Sequence, residues 1–146
     1  MLKVGRVFRF EPPDEWPESQ EGSRLIYRGP NEAYLIVSSA MVEASPGMPV
    51  IDPDGLSQLF SSAMKSIAGL AADPEFREVT ALHKSTDFGS LETWVQSYIT
   101  VDNAVAFSQA IVVAASGVLL ASLESPPWRE HASVFRDFLK TVEALA

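Results

Sequence analysis

Residues 91–123 read LETWVQSYITVDNAVAFSQAIVVAASGVLLASL, and this stretch decides the fold. Two short turn signals divide it. Asp102-Asn103 suits a tight hairpin, because both side chains hydrogen-bond their own backbone and tolerate positive φ. Ser116-Gly117 supplies a glycine that takes positive φ without steric cost. The runs between the turns are rich in β-branched and aromatic residues, which suit a pleated surface. Three consecutive antiparallel strands are therefore expected. The first alternates, with Leu91, Thr93, Val95, Ser97, Ile99 and Val101 opposite Glu92, Trp94, Gln96, Tyr98 and Thr100. The second is apolar on both sides, with Val105, Phe107, Ile111 and Val113 on one and Ala104, Ala106, Ala110, Val112 and Ala114 on the other. A strand apolar on both faces belongs in the middle of a sheet covered on both faces.

Working outward, Val4–Phe10 alternates as an opening strand and Pro12-Pro13 ends it. A polar loop, EPPDEWPESQEGS, follows. Arg24–Arg28 and Glu32–Val42 form a hairpin about Gly29-Pro30-Asn31. Asp52 and Pro53 suit the N-cap and first position of a helix. Its apolar stripe includes Leu56, Leu59, Phe60, Ala63, Met64 and Ile67, and Asp73-Pro74 ends it. Phe76–Lys84 is a further strand before the meander. Trp128–Leu145 is a closing helix with Val134, Phe135, Phe138, Leu139, Val142 and Leu145 on one stripe. The expected class is α+β: a twisted, mainly antiparallel sheet of six to seven strands flanked by two helices, an α/β/α sandwich. At 146 residues without an internal repeat or linker, a single domain spanning residues 1–146 is expected.

Composition narrows the function classes. Net charge is −8, from 19 acidic and 11 basic residues, and the basic residues do not cluster, which argues against a nucleic-acid partner. The uncharged segment Ala104–Leu123 is long enough to raise a membrane span, but its Ser-Gly turn and β-branched content read as two strands. The chain holds no cysteine, which leaves the redox compartment undecided, but the N-terminal residues carry no apolar run of signal-peptide length, so a cytoplasmic location is expected. His83 and His131 fall in different elements with no ligand spacing, so neither a metal nor a cofactor is expected. No nucleophile elbow, P-loop or dinucleotide fingerprint is present. Asp14 and Glu15 could serve a hydrolase only as a buried acid–base pair, and an open acidic loop does not bury them. No catalytic residue is assigned, and the chain is expected not to be an enzyme.

Three aromatic residues are the candidate partner-binding positions. Trp16 is the large apolar residue of the polar loop, and it is either a plug closing one core edge or an anchor for a partner. Trp94 and Tyr98 share a strand face with Gln96 and Thr100. They either pack beneath covering structure or form a mixed aromatic–polar surface of the kind enriched at interfaces.

Phe8, Phe10, Pro13 and Trp16, then Gln109–Ser125 and Phe135–Leu139, carry a resemblance to the PsbP/DcrB-like family that runs over nearly the whole chain. The resemblance implies an antiparallel sheet flanked by helices and a role in binding rather than a shared reaction. Its members include extrinsic photosystem subunits, a nuclear-import factor that binds a small GTPase, bacterial lipoproteins, and adaptor chaperones of type VI secretion effectors. The resulting expectation is a non-catalytic protein-binding module, an adaptor or secretion-effector chaperone, whose partner is another protein or a second copy forming a homodimer. The alternative is a small-ligand or lipid-binding domain with a pocket between sheet and helix.

Overall fold

The computed structural model describes residues 2–5, 7–41, 76–85, 91–100, 106–114, 117–125 and 132–145. The expected helix from Asp52 to Asp73 and the turn at Asp102-Asn103 lie outside the described residues, as do Trp128 and His131.

The meander forms as its alternation predicts. β7 (Glu92–Thr100), β8 (Ala106–Ala114) and β9 (Gly117–Ser125) pair antiparallel in sequence order. Gly117 pairs with Ala114, so it belongs to β9 rather than to a turn. β8 is buried on both sides: Phe107 and Ile111 on one, Ala110 and Val112 on the other. The described residues of the uncharged segment, 106–114 and 117–123, are thus strand, and no helix among the described residues is long and apolar enough to cross a membrane.

Around this centre lie β3 (Glu18–Glu21), β4 (Arg24–Arg28), β5 (Tyr34–Met41) and β6 (Phe76–Ser85). The seven strands run in the order β3-β4-β5-β9-β8-β7-β6, all antiparallel. β3 corrects the expectation of an unbroken loop up to Ser23. Glu18–Glu21 is exposed throughout, so no apolar alternation marks it, and Gly22 at φ 62° closes the hairpin onto β4. A short charged strand is also how a sheet protects an open edge.

A second, three-stranded sheet was not expected. β1 (Lys3–Val4) and β2 (Phe8–Phe10) are separate strands, because the chain reverses between Gly5 and Phe8, whose carbonyl accepts the Gly5 N–H at 2.8 Å. The single opening strand is corrected accordingly, and Val4 is exposed. The closing helix, α1 (Ala132–Thr141), is shorter than its apolar stripe suggests. After Val142 the chain becomes β10 (Glu143–Ala144), which pairs with β2 and sets the Glu143 carboxylate on the Arg9 guanidinium.

One face of the large sheet, the two aromatics of β2 and the stripe of α1 form one core. It holds Tyr27, Leu35, Leu119 and Leu123 from the sheet and Phe8, Phe10, Phe135, Phe138 and Leu139 from above. Phe10 meets Phe138 edge to face, with centroids 5.4 Å apart and planes at 72°. Such a pair adds about 0.5–1.5 kcal/mol to the burial of its rings. On the opposite face a polar row crosses three central strands. The Gln96 amide donates to Gln109 Oε1 at 2.8 Å, and the Gln109 amide reaches Ser122 Oγ at 3.5 Å. All three side chains are buried, so the row fixes register where purely apolar neighbours would tolerate slippage.

Candidate functional site

A cleft of about 430 Å³ opens between the segment that follows β2 and the outer flank of α1. Its position follows from local chemistry. Pro12-Pro13 ends β2 and stiffens the chain. The Pro13 carbonyl accepts the Trp16 N–H at 3.4 Å, and Glu15 sits in the left-handed region at φ 63°. That conformation is costly for a residue with a Cβ, and here it sits between exposed Asp14 and half-buried Trp16, whose ring packs against the core.

Gly29 backs the indole. A Cβ at residue 29 would stand 2.5 Å from both Cε2 and Cη2 of Trp16, so the ring occupies the space a side chain would need. On the helix side, Thr141 fastens the two walls together. Its hydroxyl donates to the Phe138 carbonyl at 2.7 Å and accepts the Glu11 N–H at 3.0 Å.

The wall is aromatic and prolyl, with Trp16 and Phe138 beside Pro12 and Pro13. The rim is acidic: Glu11, Asp14 and Asp137 line the cleft, all exposed, and no lysine or arginine among the described residues does. Asp14 and Asp137 have no ion-pair or hydrogen-bond partner among the described residues. Glu18, Glu21, Glu92 and Glu143, by contrast, are held in ion pairs. Glu18 accepts from the Tyr27 hydroxyl at 2.7 Å and from Lys3 at 3.0 Å, and those bonds hold it below the ordinary carboxylate range. Burial, then Glu18, push the Tyr27 hydroxyl up. Burial likewise raises Glu124, on the face away from α1.

The three candidate residues do not converge. Trp16 belongs to the cleft on the α1 side of the sheet. Trp94 pairs across strands with Ile111 on the opposite face, half-buried, and its indole Nε1 is buried with no acceptor among the described residues. Tyr98 pairs with Phe107, and its side chain lies outside the described residues. Asp137, Phe138 and Thr141 went unnoticed as partners of the Pro-Pro-Trp segment. The available signal was the edge of the helical stripe, where Val134 and Thr141 flank Phe138 on the side of Asp137. No group of three or more histidine, aspartate and glutamate side chains among the described residues could hold a metal. His83 is exposed on β6, at the far edge of the large sheet from β3.

No family model and no curated protein sequence matches the chain. Solved structures do. The solution structure of cyanobacterial PsbP (CyanoP) from Synechocystis sp. PCC 6803 is 11% identical, with TM-score 0.65 over 94% of this chain and 86% of that one. LpqN of Mycobacterium tuberculosis, described as involved in cell envelope biogenesis, is 16% identical, with TM-score 0.54 over 99% and 87%. A Bacteroides thetaiotaomicron VPI-5482 protein is 13% identical, with TM-score 0.54 over 95% of this chain but 45% of its own length. The chain has a PsbP-like fold.

Proposed function

We propose that this PsbP-like chain is a non-catalytic protein-binding module whose partner docks in the cleft between Pro12–Trp16 and α1. One observation carries the reading: a concave surface with an aromatic and prolyl wall and an exposed acidic rim, of which Asp14 and Asp137 have no partner among the described residues. Buried aromatics ringed by polar groups are the usual anatomy of an interface hot spot. The Thr141 hydroxyl in the cleft is committed to the Phe138 carbonyl and the Glu11 N–H, which suits a structural part rather than a nucleophile's. Within this reading the specific role is an adaptor or secretion-effector chaperone, as the family resemblance implies.

The test is affinity capture from native cells with the intact chain and the Trp16→Ala variant in parallel, followed by reconstitution of the purified pair. A partner that binds the intact chain and is lost with Trp16→Ala supports the proposal. A partner indifferent to Trp16, or turnover in an activity survey with no partner, contradicts it.

The small-ligand reading draws on the same cleft, since about 430 Å³ falls within the range of small-molecule pockets. The cleft lies between a loop and a helix rather than between sheet and helix. Native mass spectrometry separates the two readings, because a co-purified small molecule is expected only under the second.

A further inference from the structure

We infer that the occupant of this cleft is an arginine side chain presented by the partner; the inference rests on the docking reading above. Charge comes first. Asp14 and Asp137 face the cleft from opposite walls without partners among the described residues. Bringing in a neutral or anionic segment would leave these carboxylates partly desolvated and unpaired, a cost that falls directly on binding. A cation removes that cost. The chain's net charge of −8 also draws a basic segment toward it.

The wall selects among cations. A guanidinium is planar, stacks on an indole, and presents five donors in a fixed fork, so one group can satisfy two separated carboxylates while resting on Trp16. A lysine ammonium is a strongly hydrated point charge that matches neither the flat ring nor two acceptors at once. A volume of about 430 Å³ holds such a side chain together with its neighbouring backbone, for which Pro12, Pro13 and Phe138 supply apolar contact. Gly29 behind the ring and Thr141 across the walls hold this geometry in place.

The test uses the intact, isotope-labelled chain and a capped Gly-Arg-Gly peptide followed by resonance shifts. The matched citrulline peptide keeps the shape of arginine and removes its charge. The expected result is a saturable shift of the Trp16 indole N–H and the Thr141 amide with the arginine peptide, weakened roughly tenfold or more with citrulline. Asp14→Asn and Asp137→Asn should each weaken the arginine peptide about two- to fivefold, as exposed charge pairs do. Glu21→Gln, on β3, should leave it unchanged. Equal binding of both peptides, or no saturable shift at Trp16, overturns the inference. A silent titration beside a partner that depends on Trp16 overturns the arginine and retains the docking cleft. A saturable titration with no such partner retains the cationic preference and overturns the docking reading.

Discussion

Replacing Gly29 by alanine tests the architecture of the cleft through a change of sign. Gly29 has φ −94° and ψ −179°, an extended conformation that alanine adopts freely. By itself the substitution should stabilise the protein by about 0.4–1 kcal/mol, because it restricts the unfolded chain. The new methyl group, however, would stand 2.5 Å from Cε2 and Cη2 of Trp16, well inside contact distance. The ring is stiff and packed against the core, so the clash should cost about 1–3 kcal/mol, the range for overpacking. The net expectation for Gly29→Ala is a loss of about 0.5–2 kcal/mol. In a Trp16→Ala background the clash is absent, and the same substitution should become stabilising by about 0.4–1 kcal/mol. Urea midpoints at constant m-value for the four members of this double-mutant cycle measure the coupling. The indole N–H resonance of Trp16, one of three in the chain, reports whether the ring has moved. Equal destabilisation by Gly29→Ala in both backgrounds would refute the placement of Trp16 against residue 29.

Three further outcomes follow from the same contacts. Gln109→Leu removes the acceptor of the Gln96 amide and should cost about 1–3 kcal/mol, much of it recovered in the double variant Gln96→Leu/Gln109→Leu; strictly additive losses would contradict a shared row. Burial raises the folded-state carboxyl of Glu124, so the stability associated with its protonated form is full below the ordinary glutamate value, about 4.3, and is lost as pH rises toward the raised value. Glu124→Gln should therefore be more stable than the natural chain at pH 7, with the gap closing below about pH 4, and a gap independent of pH in denaturation midpoints would contradict this. Thr141→Val removes the acceptor of the exposed Glu11 N–H and should cost about 0.5–1.5 kcal/mol, seen in the urea midpoint and in faster hydrogen exchange at that amide; unchanged exchange would show the tie to be dispensable.

The large sheet was legible because its signal is local. A period of two in β7 and in β8 assigns faces directly, and the observed pairing of Trp94 with Ile111 and of Val95 with Ala110 keeps those faces. The errors arose where no local signal exists or where two signals coincide. Glu18–Glu21 is wholly exposed and polar, so only the positive φ at Gly22 and the pairing with β4 define it as a strand. Val4 and Phe10 share the parity expected of one strand, but the chain reverses between them and pairs Val4 with Arg9 and Lys3 with Phe10, so Val4 falls on the face opposite Phe10 and is exposed. Val142 and Leu145 keep helical spacing, yet the helix stops at Thr141, whose hydroxyl takes the Phe138 carbonyl, and Glu143–Ala144 finds backbone partners on β2. The cleft was half legible. Its Pro-Pro-Trp wall stands in the sequence, whereas its meeting with Asp137 and Thr141 is a tertiary contact between distant segments.

The central claim is that a protein partner occupies the cleft. A photo-crosslinking amino acid introduced at Pro12, which lines the cleft without a polar role, reads this directly in native cells, with Lys84 on the exposed surface of β6 as the control. A single discrete protein adduct from residue 12, absent from residue 84, is the expected result. No adduct at residue 12, or the same adducts from both positions, would contradict the claim.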